Sequence, residues 1–135
     1  MRLDLYQAEC ERIAQEKMML LNEARNRISN QQPLSKLEQS GLLHVIQVLI
    51  ENAIGKSKHL LKLHGETVPV SAYDAFASLS RAKLISETAL TEWNAAIGLR
   101  NRIVHDYMNI DLNLVYALLT DQKLDFIADF LLKKF

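Results

Sequence analysis

The sequence predicts an all-α fold, an up-and-down bundle of four long helices and one short helix that forms a single domain over residues 1–135. Three observations indicate this class. Apolar residues recur at intervals of three and four over long stretches, which is the spacing of one helix face. No stretch alternates apolar and polar residues as a half-buried strand does. Only 4 of the 135 residues are Gly and 2 are Pro, and 49% are hydrophobic, which suits long helices around one core.

The first helix is predicted from about Leu3 to about Ser29, because its apolar residues follow a three-then-four spacing. That stripe comprises Leu3, Tyr6, Cys10, Ile13, Leu20, Ala24 and Ile28. Residues 30–33 are a polar break.

The second helix begins where Ser35 and Glu38 have the spacing of a capping box, in which each side chain satisfies a free amide at the helix start. It should reach about Leu63 and end at Gly65, because glycine readily takes the conformation that follows a helix. Two long helices joined by a short loop are expected to pack antiparallel.

Three further helices are predicted. Ser71 starts a short one, whose inward residues are Tyr73, Phe76 and Leu79. The fourth begins between Ser86 and Thr91, and its apolar side comprises Leu90, Trp93, Ile97 and Val104. Asn109 or Asp111 caps the fifth, whose apolar side comprises Leu112, Val115, Leu119, Phe126 and Phe130. Trp93 is interpreted as core or dimer-interface packing.

Composition limits the functional classes. Lys and Arg together number 16, as do Asp and Glu, so a globally basic nucleic-acid binder is excluded and any RNA contact must be a local patch. Cys10 is the single cysteine, which excludes an intrachain disulfide and favours a reducing, cytoplasmic setting. We find no signal-peptide pattern and no apolar run near the roughly 18 residues of a membrane span, so no membrane association is expected.

The segment 98–107 concentrates the side chains that could carry chemistry. Arg100 supplies a cation for phosphate, His105 an acid or base suited to neutral pH, and Tyr107 a phenol. On a straight helix Arg100 and Tyr107 lie about 20° apart, and Asn101 and His105 about 40° apart. Arg100 and His105 lie about 140° apart. They therefore converge on one phosphate only if the helix bends or ends there, if the arginine reaches round it, or if a dimer pairs two copies.

Each of these residues also has a simpler interpretation. A lone Arg or His near a helix end is usually a solvated charge or a partner of the helix dipole. The cluster as a whole is a stronger indication, because the apolar residues Ile103 and Val104 anchor it to the core. Asn101, Arg102 and Asp106 are predicted to support the central pair.

Arg100, His105 and Tyr107 occupy the three fixed places of an R-x4-H-x-Y motif, and in this the sequence resembles the HEPN-domain toxins. The flanking residues 98–101 and 104–107 resemble the HepT subfamily in particular. The resemblance covers the whole chain in its length and helix order, including residues 47–59 of the second helix. Arg102 is an additional cation that the motif does not require.

The resemblance implies a HEPN-type helical bundle, a homodimer with the motif at a cleft between protomers, and cleavage of RNA without metal or cofactor. It also implies a toxin–antitoxin pair of the HepT/MntA type. The partner is a minimal nucleotidyltransferase that neutralises the toxin by forming a complex with it and by transferring AMP from ATP to Tyr107.

A mechanism can be written for these residues. His105 would remove the proton of an RNA 2′-hydroxyl or protonate the 5′-oxygen leaving group, and Arg100 would stabilise the phosphorane-like transition state. Asn101 would orient the phosphate or His105. Because Tyr107 is predicted on the face of Arg100, an AMP group there would block the site and occupy the guanidinium.

Several polar residues outside this segment also have a functional and a simpler interpretation. Lys58, His59 and Lys62 fall within about 100° of helical arc, which suits either an RNA- or antitoxin-binding strip or a solvated helix face. His44 is predicted to be structural. The four His residues lack zinc-type spacing, so no metal site is expected. Two alternative functions remain, a non-catalytic nucleotide- or substrate-binding subunit that partners a nucleotidyltransferase, and a plain helical interaction module.

Overall fold

The computed structural model describes residues 2–135, and that part of the chain contains helices and no strands. The elements are α1 (Leu3–Ser29), α2 (Lys36–Leu63), α3 (Ala72–Arg81), α4 (Glu87–His105), the 3-10 turn η1 (Tyr107–Asn109), α5 (Leu112–Thr120) and α6 (Asp125–Leu132). The all-α prediction is confirmed, and the first four helices lie where the sequence predicts them. No helix of the described chain is both long and apolar enough to cross a bilayer.

The predicted helix starts are confirmed by side-chain caps. Ser35 and Glu38 form both hydrogen bonds of the capping box at the start of α2. Ser71 accepts a backbone amide at the start of α3, and Ser86 does so at the start of α4. Of the two candidate caps of the fifth helix, Asp111 makes the cap, because its carboxylate accepts two backbone amides of α5.

The single fifth helix of the prediction is wrong, because the chain breaks between α5 and α6. Gln122 takes a left-handed conformation with φ 59°, and the amide of Lys123 donates to the carbonyl of Leu118 at 2.9 Å. This is the Schellman pattern that ends a helix, here built without glycine. The bundle therefore contains three long helices, α1, α2 and α4, and three short ones.

Helix α2 is the centre of the bundle and packs against α1, α3, α4 and α6. The predicted antiparallel pairing of α1 and α2 is confirmed. Arg27, late in α1, pairs with Glu38, early in α2, while the Tyr6 ring lies 4.0 Å from the His59 ring at the opposite ends.

The core is closed by stacked aromatic rings. Phe76 stacks on Trp93 with ring centroids 4.3 Å apart, and Phe126 and Phe130 meet Trp93 edge-on at 4.8 and 5.0 Å. Trp93 is 2% exposed, so it is a core residue of this chain.

Four apolar predictions are wrong in detail. Leu3, Leu20, Tyr73 and Val104 are 38%, 43%, 42% and 39% exposed. Val104 therefore does not anchor the motif to the core, whereas Ile103 is buried as predicted. The buried stripe of α1 passes through Leu21, which lies about 100° round the helix from Leu20. Ala75, Phe76 and Leu79 form the buried side of α3, and Tyr73 lies outside it.

Lys56 is 1% exposed and holds the C-terminal helix in place. Its ammonium group donates to the carbonyls of Phe130 at 2.8 Å, Leu131 at 3.2 Å and Lys133, which are among the last carbonyls around the end of α6. Burial lowers the pKa of the Lys56 ammonium group. Lys56 is therefore a buried cap and not part of a basic surface.

Candidate active site

The motif lies where the C-terminal half of α4 runs antiparallel to the part of α2 between Ser40 and Glu51. Arg100 of α4 contacts Glu51 of α2, and Tyr107 of η1 contacts Ser40 nearer the start of α2. Because α2 is the central helix of the bundle, both contacts are made to a well-supported element.

Helix α4 ends within the motif. His105 is its last residue, and Asp106 leaves the helical conformation with φ −140° and ψ 42°. The end of α4 at His105 is one of the conditions under which Arg100 and His105 can converge. Tyr107 therefore starts η1 and does not continue the face of Arg100, so the prediction of one shared helix face is wrong.

Arg100 is held from two sides. Its Nε and Nη2 donate to one carboxylate oxygen of Glu51 at 3.1 and 2.6 Å, and its Nη1 donates to Oδ1 of Asn101 at 3.1 Å. A guanidinium has five N–H groups, so two remain, one on each terminal nitrogen. That pair is suited to a bidentate contact with a phosphate. The Arg100 side chain is 27% exposed, so solvent and a ligand can reach it.

His105 is exposed at the end of α4. Within residues 2–135 no hydrogen bond or ion pair joins it to Arg100. Asn101, predicted to orient either the phosphate or His105, contacts Arg100 instead. Convergence of Arg100 and His105 on one phosphate remains a prediction.

The sequence interpretation missed Glu51 and Ser40. They belong to a polar stripe on α2 whose members follow the four-three-four spacing of one helix face, namely Ser40, His44, Gln47 and Glu51. Gln47 lies 3.5 Å from both carboxylate oxygens of Glu51 and is oriented to donate to them. His44, predicted to be structural, is exposed on this stripe. The spacing of this stripe could have identified Ser40 and Glu51 in the sequence, because the positions between its members are largely apolar and buried.

The hydroxyl of Tyr107 lies 2.6 Å from Oγ of Ser40, and the side chain is 46% exposed. Ser40 and Glu51 are eleven residues apart, which is about 16 Å along the axis of α2. The phenol and the guanidinium of Arg100 thus contact α2 three turns apart. Occupation of Arg100 by a phosphodiester on the phenol therefore remains a prediction, because the two groups contact different parts of α2.

Two predicted supporting residues lie away from Arg100. Arg102 is exposed about 200° round α4 from Arg100 and lines a largely apolar groove of about 380 Å³ beside Leu99 and Leu114. Asp106 is exposed and accepts a 2.7 Å hydrogen bond from the side-chain amide of Asn109.

The basic residues near the end of α2 are partly engaged within the fold. Lys58 donates to the carbonyl of Val70 at 2.7 Å, which ties α2 to the connection before α3. His59 packs against Tyr6, and burial followed by the nearby charge of Lys62 lowers the pKa of its imidazole. Lys62 is exposed. An RNA- or antitoxin-binding role for these three residues remains a prediction.

The described chain, residues 2–135, holds no group of three or more His, Cys, Asp or Glu side chains placed to bind a metal ion.

A family profile described as Ribonuclease HepT-like matches residues 12–133, which is most of the chain. The chain belongs to the HepT-like ribonuclease family. The matched region contains all of α2 to α6 and therefore both sides of the candidate site.

Two relatives of this HepT-like chain are similar over part of their length. An mRNA nuclease HepT from Shewanella oneidensis is 29% identical over 90 residues, which cover 67% of each protein. A tRNA nuclease HepT from Aphanizomenon flos-aquae is 29% identical over 84 residues, which cover 62% of this chain and 57% of the relative.

Two solved structures share the HepT-like fold described above. A toxin–antitoxin structure with AMP-PNP matches 97% of this chain and 99% of its own, with a TM-score of 0.73 and 20% identity. The tri-AMPylated HEPN toxin of Shewanella oneidensis, in complex with an MNT antitoxin, matches 87% of this chain and 95% of its own, with a TM-score of 0.66 and 22% identity. At these identities the likeness is one of fold.

Proposed function

We propose that this chain is the toxin of a toxin–antitoxin pair, an endoribonuclease that cuts RNA without a metal ion and is neutralised by a cognate minimal nucleotidyltransferase. The observation that carries the proposal is the state of Arg100. Its guanidinium is fixed by Glu51 and Asn101 and keeps two N–H groups for a phosphate, close in sequence to the exposed His105. The proposal is also supported by the membership of this chain in a ribonuclease family and by two relatives named as RNA nucleases. We place this activity in the cytoplasm, where RNA and ATP are available.

The proposed reaction uses a proton transfer and a fixed cation. His105 removes the proton of the 2′-hydroxyl, the resulting oxygen attacks the adjacent phosphorus, and the bond to the 5′-oxygen breaks as that oxygen takes up a proton. Such proton transfers typically contribute about 10²–10⁴-fold. Arg100 stabilises the charge that develops on the phosphate, and Glu51 keeps the guanidinium oriented so that no reorganisation is needed during the reaction.

We propose that the active unit is a homodimer in which the motif faces a cleft between protomers. Apolar side chains next to the motif support this arrangement, since Leu37 is 82% exposed, Val104 39% and Met108 89%. Because the net charge of the chain is zero, electrostatic repulsion between two protomers is small. In a dimer, two copies of His105 supply both the base and the acid.

We propose that Tyr107 accepts AMP from the antitoxin. The phenol oxygen attacks the α-phosphorus of ATP, an O–P bond forms, and the bond to the β-phosphate breaks so that pyrophosphate leaves. The half-exposed phenol is accessible for this step, and a solved neighbour of this fold is AMPylated and bound to an MNT antitoxin. The adduct neutralises the toxin by covering the cleft next to His105.

The catalytic proposal is tested by incubating the purified chain with total RNA in EDTA. Wild-type protein should cut RNA, whereas His105→Ala and Arg100→Ala should lose cleavage and keep their helical circular dichroism. His64→Ala and Arg81→Ala, which alter exposed residues outside the motif, should cut at the wild-type rate. Cleavage by either motif variant at the wild-type rate would refute the assignment.

The alternative of a non-catalytic binding subunit predicts no cleavage by wild-type protein and no growth arrest when the chain is expressed alone. Labelling supplies the second test, in which the cognate antitoxin and ATP should modify wild-type protein and not Tyr107→Phe. Detection of the AMP group on another residue would refute the assignment of Tyr107.

A further inference from the structure

The hydroxyl groups of Ser40 and Tyr107 meet across the site. Their oxygens lie 2.6 Å apart, although the residues are 67 positions apart in the sequence. This is the distance of a short O–H···O hydrogen bond. The proposed function uses the phenol only as an acceptor of AMP and gives Ser40 no role.

The turn that carries Tyr107 is otherwise weakly held. In residues 2–135, the backbone of η1 packs against α4 and against no other helix. None of the residues of η1 is buried, and Met108 projects almost entirely into solvent. The side-chain hydrogen bond of Asn109 goes to Asp106, which immediately precedes the same turn. The Ser40 hydroxyl is therefore the contact that fixes the phenol relative to α2.

Ser40 itself belongs to a firmly held part of α2. The capping box of Ser35 and Glu38 fixes the first turn, and Glu38 also pairs with Arg27 of α1. The hydrogen bond from Arg27, followed by that from the backbone of Ser35, lowers the pKa of Glu38 to about 2. Ser40 lies only two residues beyond Glu38, so its hydroxyl is a fixed point against which the weakly held turn η1 can be positioned.

We propose that Ser40 is a positioning residue for the Tyr107 hydroxyl, holding the phenol of η1 against α2 in the place where it receives a nucleotidyl group. This inference rests on the proposed function in taking Tyr107 as the acceptor. Ser40 takes no part in the bond changes, since the phenol proton leaves to a base of the nucleotidyltransferase. Its effect is to reduce the number of positions that the phenol samples before attack.

The contact is tested without the antitoxin by hydrogen–deuterium exchange of the free protein. Ser40→Ala and Tyr107→Phe should each speed exchange of the backbone amides at 107–110, and the double variant should exchange no faster than the faster single variant. Ser40→Thr keeps a hydroxyl and should restore protection, while Ser29→Ala, at an exposed helical serine of α1, should exchange like the wild type. Exchange in Ser40→Ala at the wild-type rate would overturn the contact.

The positioning role is tested by the rate of AMP transfer from ATP by the cognate nucleotidyltransferase, followed by mass spectrometry of Tyr107. Loss of one hydrogen bond should slow transfer to Ser40→Ala about 2- to 10-fold. Ser40→Thr should recover most of the rate, and Ser29→Ala should match the wild type. A Ser40→Ala rate equal to or above that of the wild type would overturn the inference.

The two tests separate this inference from the function on which it rests. Absence of label on wild-type Tyr107 would overturn the proposed acceptor and the transfer role of Ser40 with it. The exchange experiment would still decide whether Ser40 positions the phenol.

Discussion

Arg100 and Glu51 face each other across the α2–α4 interface, with two guanidinium nitrogens donating to the same carboxylate oxygen. The two side chains are 27% and 36% exposed, so the pair lies at the edge of solvent. An exposed ion pair contributes little to stability, because water competes for both partners. The contact is better understood as one that orients the guanidinium, leaving a defined pair of donors for a substrate phosphate.

Replacement of Glu51 should therefore impair cleavage more than folding. We expect Glu51→Ala to lower the rate of RNA cleavage about 10- to 100-fold, because the freed guanidinium must be reoriented in each turnover. Glu51→Gln retains an acceptor oxygen, so its cleavage rate should fall less than that of Glu51→Ala. The measurement is the initial rate on a defined RNA, with Glu23→Ala as a control at an exposed acid of α1. A Glu51→Ala rate at or above that of the wild type would mean that the carboxylate competes with the phosphate.

A lysine should not replace Arg100. Its ammonium group is a point charge and cannot hold a carboxylate and a phosphate in one planar fork. We expect Arg100→Lys to lose about 100-fold in kcat/KM while its melting temperature stays near that of the wild type. Arg81→Lys, at an exposed position of α3, is the matched control. Activity of Arg100→Lys within about threefold of the wild type would show that charge alone is sufficient.

The local parts of this architecture could be predicted from the sequence, and the contacts between distant helices could not. The capping box of Ser35 and Glu38 and the start of α3 at Ser71 depend on neighbouring residues, so their spacing predicts them. The pairing of Arg100 with Glu51 depends on how α2 and α4 pack. A polar stripe on one helix does not show which residue of another helix will contact it. The break at Gln122 was missed for another reason, because a non-glycine residue takes the left-handed conformation there.

The position of Tyr107 within the motif also could not be predicted from the sequence. The sequence places Tyr107 on one continuous helix with Arg100, whereas the chain leaves the helix at Asp106 and the phenol reaches Ser40 instead. Nothing adjacent to Asp106 is a glycine or proline that would mark the boundary, so helical periodicity was extended too far.

His59 should make stability depend on pH near neutrality. Burial, and then the charge of Lys62, lowers the pKa of the folded-state imidazole below its ordinary value of 6.5. The folded state therefore binds fewer protons than the unfolded state around that pH, so stability falls as pH drops through 6.5 towards the folded pKa. We expect the melting temperature of His59→Gln to fall less than that of the wild type between pH 7.5 and pH 5.5.

The exposed His64 provides the control for this experiment, because His64→Gln removes an imidazole at the end of the same helix. Its melting temperature should change with pH as that of the wild type does. Equal pH slopes for His59→Gln and the wild type would contradict the assignment of the effect to His59.

Glycine at position 122, in the left-handed turn between α5 and α6, should stabilise the fold. A side chain at φ 59° is strained relative to glycine, whereas glycine loses more entropy on folding, and the first effect exceeds the second. We expect Gln122→Gly to raise the free energy of unfolding by about 0.5–1 kcal/mol, measured by urea denaturation. Gln39→Gly, inside α2, should instead lower it by about 1 kcal/mol, because that position is helical. Destabilisation by Gln122→Gly would mean that the Gln122 side chain makes a stabilising contact that outweighs the strain.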